Sequence, residues 1–146
     1  ITHPAKVSSL VAVIDGVTEE EVCAAWLHDV MEDCGVTPNT ITEQTNAEVC
    51  NLVSMLTNPS KEFPQLSRVE KKLMDLQHIA ESSEAAQRIK LCDRLDNLRD
   101  AVGAPMRWLE KYLDESAKLV ERIGHAHPPY AALINAEIDR LKKLCL

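Results

Sequence analysis

The chain has 146 residues, 45% of them apolar and only 3% aromatic, with four glycines, so its interior must be aliphatic and the composition favours helices over a loop-rich or all-β architecture. A net charge of −7 leaves no surplus of Lys and Arg for general nucleic-acid binding, so an anionic ligand needs a local basic patch. That length suits one domain around one core, residues 1–146.

Five cysteines form no CxxC pair and read as reduced thiols that serve as small core hydrophobes, which suits a cytoplasmic protein. No apolar run approaches the roughly 18 residues of a membrane span, and nothing at the start resembles a signal peptide, so no membrane partner is expected.

Pro4 suits a first helical position, and Val7, Leu10, Val11 and Ile14 recur at helical spacing until Asp15 and Gly16 stop the run. Thr18 and Glu21 make a capping box that starts a second helix through Val22, Ala25, Trp26 and Leu27, with Gly35 as its end and Trp26 expected in the core. Thr37 and Pro38 begin another helix carrying Ile41, and a break near Asn46 leads into a run with Val49, Leu52, Val53 and Leu56. Residues 58–65, NPSKEFPQ, read as a loop. The stretch after it is amphipathic, with Val69, Leu73, Leu76 and Ile79 expected to face the core and Arg68, Lys71 and Lys72 forming the densest basic cluster. Ser82 and Ser83 cap a helix running through Ile89 and Leu91 to Leu98, and Gly103 and Pro105 break the chain after it. Two long structural helices follow, roughly 106–123 and 130–144, with His125 and His127 expected in an exposed Pro-rich turn. The expected fold is therefore all-α.

The segment AAWLHDVMED concentrates His28, Asp29, Glu32 and Asp33 at the end of an apolar helix. Burying a carboxylate without a partner costs several kcal/mol or forces it to neutralise, and a cation is the simplest remedy. On a continuous helix His28 and Glu32 lie one turn apart on one face, with Asp29 and Asp33 stacked beside them. A second segment, IKLCDRLDNLR, puts Asp93 and Asn97 four residues apart on one face and makes Asp93 the natural third ligand after His28 and Asp29. Imidazole with carboxylates suits manganese, iron or zinc better than calcium.

These pieces resemble the HD-domain metal-dependent phosphohydrolases, and within them the hydrolase domain of RelA/SpoT-type enzymes and their small stand-alone homologues that cleave (p)ppGpp. ITHPAKVSSLV is similar to the family's HP-containing helix, AAWLHDVMED to its ALLHDVVED, and IKLCDRLDNLRD to its VKLADRLDNLRD. The resemblance covers nearly the whole chain, and HDxxED with KLxDRLxNL about sixty residues later is a specific combination. It implies a compact HD-domain fold of about six to eight helices, a divalent metal, most simply Mn²⁺, and removal of the 3′-diphosphate of ppGpp to leave GDP and pyrophosphate. Glu32 and Asp33 would position or deprotonate the attacking water or protonate the leaving oxygen. Asn97, Lys71, Arg94 and Tyr112 would contact the nucleotide, with His3 as a wall of its pocket. The family's first histidine ligand is expected from a helix upstream of the HP motif, so this chain, starting at Ile1, is expected to lack that helix and that ligand. Two other readings stand beside this one: a phosphohydrolase acting on another nucleotide, and a nucleotide-binding module with a decayed centre. A homo-oligomer stays open.

Overall fold

The computed structural model describes residues 2–145, and among them the chain is helical with no strand. Its elements are α1 (His3–Ala12), α2 (Glu19–Leu27), α3 (Val30–Cys34), α4 (Pro38–Gln44), α5 (Ala47–Leu56), a 3-10 turn (Pro59–Glu62), α6 (Arg68–Ala80), α7 (Glu84–Arg99), α8 (Met106–Ile123), a second 3-10 turn (Gly124–Ala126) and α9 (Pro128–Leu144). Counting α2 and α3 as one helix interrupted at His28 and Asp29 gives eight.

Local chemistry places most boundaries. Thr18 and Glu21 close the capping box of α2, Thr37 caps α4, the Asn46 side chain accepts from the Val49 amide at 2.9 Å to start α5, and Ser83 caps α7. A second capping box, Ser67 with Glu70, starts α6. Gly35 ends α3 in the left-handed region at φ 65°, which a residue bearing a Cβ enters at a cost.

The core is organised around α7, which packs against α1, α2, α5, α6, α8 and α9. Ile89, Leu91, Cys92, Leu95 and Leu98 are all fully buried, so this helix is apolar nearly all round, as a central helix must be. Two carboxylates on it, Asp93 and Asp96, are buried as well.

Three packing expectations are corrected. Trp26 is 51% exposed, because α2 turns Ala24 and Ala25 inward against its neighbours and leaves Trp26 on the outer side. Val69 and Leu73 are 70% and 59% exposed and line a cleft beside α8, while Ile79, later on α6, does reach the core. His127 is half-buried rather than free in solvent, since its Nδ1 accepts from the Tyr130 amide at 3.1 Å and starts α9.

Candidate metal centre

Asp93 is delivered by the buried middle of α7, His28 and Asp29 by the interruption between α2 and α3, and His3 by the first residue of α1. Each offers one ligand atom, and these atoms all lie within 4.8 Å of one another. His3 Nε2 is 2.8 Å and His28 Nε2 3.3 Å from Asp93 Oδ1, and His28 Nε2 is 3.0 Å from Asp29 Oδ2. The two rings meet edge-on with centroids 5.1 Å apart.

The sides of the cluster are also built. His28 Nδ1 donates to the Ala25 carbonyl at 2.7 Å, which aims Nε2 at the cluster. Nδ1 of His3 donates to Asp96 Oδ2 at 2.6 Å, a carboxylate behind an imidazole whose other nitrogen faces the centre. Lys90 Nζ donates to Asp93 Oδ2 and Asn97 Nδ2 to Asp93 Oδ1, each at 3.2 Å.

The donor set fits a divalent cation. His28 Nε2 is buried and has no aligned hydrogen-bond partner, although Asp29 and Asp93 are close. Such an orphaned atom costs free energy unless something occupies the space in front of it. Burial works against charge on His28, yet Asp29 and Asp93 outweigh it and hold its pKa up at about 10. The Asp93 contact likewise raises the pKa of His3. Asp93 is pushed up by burial but held well below the usual carboxylate range by Lys90 and the two histidines. The protein thus stabilises positive charge here, and a metal ion can take the place of the proton.

His3 is the main departure from the sequence reading. It is a donor beside Asp93, not a wall of a nucleotide pocket, and the cluster has two imidazoles without any residue upstream of Ile1. The physical reason is that Pro4 starts α1 directly after it, and α1 packs along α7, which sets the imidazole against Asp93 and Asp96. The two-row picture of α2 also changes, because the helix breaks at Asp29 (φ −103°, ψ 2°). Glu32 then turns to the following loop, where its Oε1 accepts from the Asn58 amide at 2.5 Å and Lys61 lies 3.7 Å from Oε2. Asp33 is exposed, and its amide bonds the Asp29 carbonyl at 2.8 Å.

A cleft of about 270 Å³ adjoins this cluster, with Lys90 shared between the two. Val69, Leu73 and Leu119 give it apolar walls; Arg68, Lys72 and Arg94 bring positive charge. The first of these cations is paired with Glu115, whereas the pKa of Lys72 is lowered by burial in the cleft wall. Lys72, not Lys71, lines the cleft. Arg94 donates to the fully buried Ser116 at 3.0 Å and sits 4.7 Å from the ring centre of Tyr112, which stacks on Trp108 at 4.7 Å. Sequence reasoning missed Asp96, Lys72 and Trp108. Only Asp96 left a trace, as a second carboxylate three residues after Asp93 in a helix otherwise apolar there.

A family model described as an HD domain matches residues 1–125. The chain belongs to the HD domain family. Within it, the chain is 35% identical over 117 residues to the guanosine-3′,5′-bis(diphosphate) 3′-pyrophosphohydrolase MESH1 of Drosophila melanogaster, a match covering 79% of this chain and 63% of the fly protein. It is 32% identical over 143 residues to MESH1 of Xenopus tropicalis, covering 97% of this chain and 78% of the frog protein. The HD domain also superposes on a solved metazoan orthologue of SpoT, described as hydrolysing ppGpp, with a TM-score of 0.81 and 29% identity over 96% of this chain and 79% of that one. No described helix is long and apolar enough to cross a membrane.

Proposed function

We propose that this HD domain is a metal-dependent (p)ppGpp 3′-pyrophosphohydrolase. The observation that carries the reading is the convergence of His3, His28, Asp29 and Asp93 around a buried, unpartnered imidazole nitrogen, beside a cleft with cationic walls. The relatives named as 3′-pyrophosphohydrolases of guanosine bis(diphosphate) supply the substrate. His3 within the donor set also removes the main support for a decayed centre.

Two nitrogen and two oxygen donors suit Mn²⁺, with iron and zinc as the alternatives of similar preference. When bound, such an ion supplies Lewis acidity to a phosphoryl oxygen and acidifies a water. Asp96 and the Ala25 carbonyl hold the two imidazoles in orientation. Asp33, exposed one turn beyond Asp29, is the carboxylate free to handle the proton of the attacking water. Arg94, held by Ser116 and the Tyr112 face, binds phosphate oxygens together with Lys72, while Asn97 braces Asp93 and reaches the ribose or its phosphate. Tyr112, stacked on Trp108, offers the aromatic surface for the nucleotide. Water adds across the bond between the ribose 3′ oxygen and the diphosphate, releasing GDP or GTP and pyrophosphate. The acidic balance argues against nucleic acid as a partner, and the five free cysteines suit the cytoplasm.

Incubation of the chain with ppGpp and Mn²⁺ tests this. The expected products are GDP and pyrophosphate in equal amounts, with turnover abolished by chelation. Orthophosphate in place of pyrophosphate would assign the centre to another phosphoester.

A further inference from the structure

Glu32 follows the ligand Asp29 by three residues, and its side chain is only 11% exposed. It does not join the donor cluster. Its Oε1 accepts the Asn58 amide, and that amide has no other partner among the described residues. Asn58 opens the 3-10 turn Pro59–Glu62 and forms part of the cleft wall. The other side of the same turn is held from α6, where Asp75 accepts both the Ser60 amide at 3.1 Å and the Ser60 hydroxyl at 2.7 Å. Ser60 is buried, so this anchor is shielded from water. Two carboxylates from two helices therefore pin one short turn, and one of them belongs to the segment that carries His28 and Asp29.

We infer that Glu32 is a positioning residue: its carboxylate fixes the Asn58 amide and so sets the wall of the cleft relative to the metal ligands, rather than carrying a proton in the reaction. A charge-assisted hydrogen bond to a backbone amide holds a turn without itself changing protonation. Lys61, 60% exposed and 3.7 Å away, leaves the carboxylate charge partly balanced from the solvent side. The inference rests on the hydrolase reading above for its catalytic consequence, and on geometry alone for the clamp.

The test compares Glu32→Ala with Glu32→Gln in the Mn²⁺-loaded protein, by ppGpp kinetics across pH and by hydrogen exchange at the Asn58 amide. Glutamine keeps an acceptor oxygen on a side chain of the same length, whereas alanine keeps none. The expected result for Glu32→Ala is a KM raised by about tenfold with a smaller change in kcat, together with at least tenfold faster exchange at Asn58. Glu32→Gln is expected to recover most of both, with an unaltered pH profile. Ser60→Ala, which loosens the opposite anchor without touching Glu32, should raise KM in the same direction. A kcat for Glu32→Gln lowered by about 100-fold or more, with a limb of the pH profile lost while Asn58 stays protected, would overturn the inference and make Glu32 an acid or base. Unchanged Asn58 exchange in Glu32→Ala would overturn it as well. If the wild-type chain releases no pyrophosphate from ppGpp, the hydrolase reading fails, while the Asn58 exchange still decides whether the clamp exists.

Discussion

At the edge of the cluster, the His3 imidazole is gripped from behind by Asp96, 2.6 Å away and almost fully buried. A carboxylate in that place fixes ring orientation and raises ligand basicity, so Asp96→Asn, which keeps the volume but not the charge, should weaken Mn²⁺ binding by about tenfold or more. Titration of the chelated protein with Mn²⁺ checks this; an unchanged affinity would remove Asp96 from the account. A second prediction concerns pH. In the chelator-stripped protein the folded pKa of His28 is about 10 against 6.5 for a free imidazole, so its charge contributes stability that is fully present below 6.5 and fades as pH rises towards 10. Asp93, shifted the opposite way from 3.8, contributes stability above that value that is lost as pH falls through its lower folded pKa. Bound Mn²⁺ needs neutral imidazoles, so the rise in Tm on adding the ion should be larger at pH 8 than at pH 6. A larger rise at pH 6 would contradict this linkage. His28, Asp29 and Asp93 could be read from the sequence because a buried helix end rich in carboxylates needs a cation. The donor role of His3 could not, since its partners Asp93 and Asp96 lie about 90 residues away and only the packing of α1 on α7 joins them.

Helix boundaries were the most legible feature at the next scale, because caps act within one turn. Thr18, Thr37, Asn46 and Ser83 each start the helix that their side-chain chemistry indicates. Helix interiors were less so. The stacked rows proposed for His28, Asp29, Glu32 and Asp33 assume unbroken α geometry, and the interruption at Asp29 redirects Glu32 to Asn58. Val69 and Leu73 have the period of a core face, yet periodicity does not distinguish a core from a cleft. The turn after α3 carries its own prediction. Gly35 sits at φ 65° with no neighbouring atoms to clash, so Gly35→Ala should cost about 1 kcal/mol through backbone conformation alone. Urea unfolding measures it; a neutral or stabilising effect would show that the turn relaxes.

For the molecule as a whole, α7 is both the centre of the core and the carrier of Asp93, so folding and assembly of the metal centre are one event. The α1 and α2 segments bring His3, His28 and Asp29 to it only when they pack on α7 and each other. An all-α architecture was legible from composition and periodicity, whereas the cleft beside α8 arises from how α6, α7 and α8 meet, which no local pattern encodes. The central claim is that two histidines and two aspartates from these separate segments grip one ion. Anomalous diffraction at the manganese edge from crystals grown with Mn²⁺ tests it most directly. The expected result is one strong peak about 2.0 to 2.3 Å from His3 Nε2, His28 Nε2 and an oxygen each of Asp29 and Asp93; a peak elsewhere, or none between these four side chains, would contradict it.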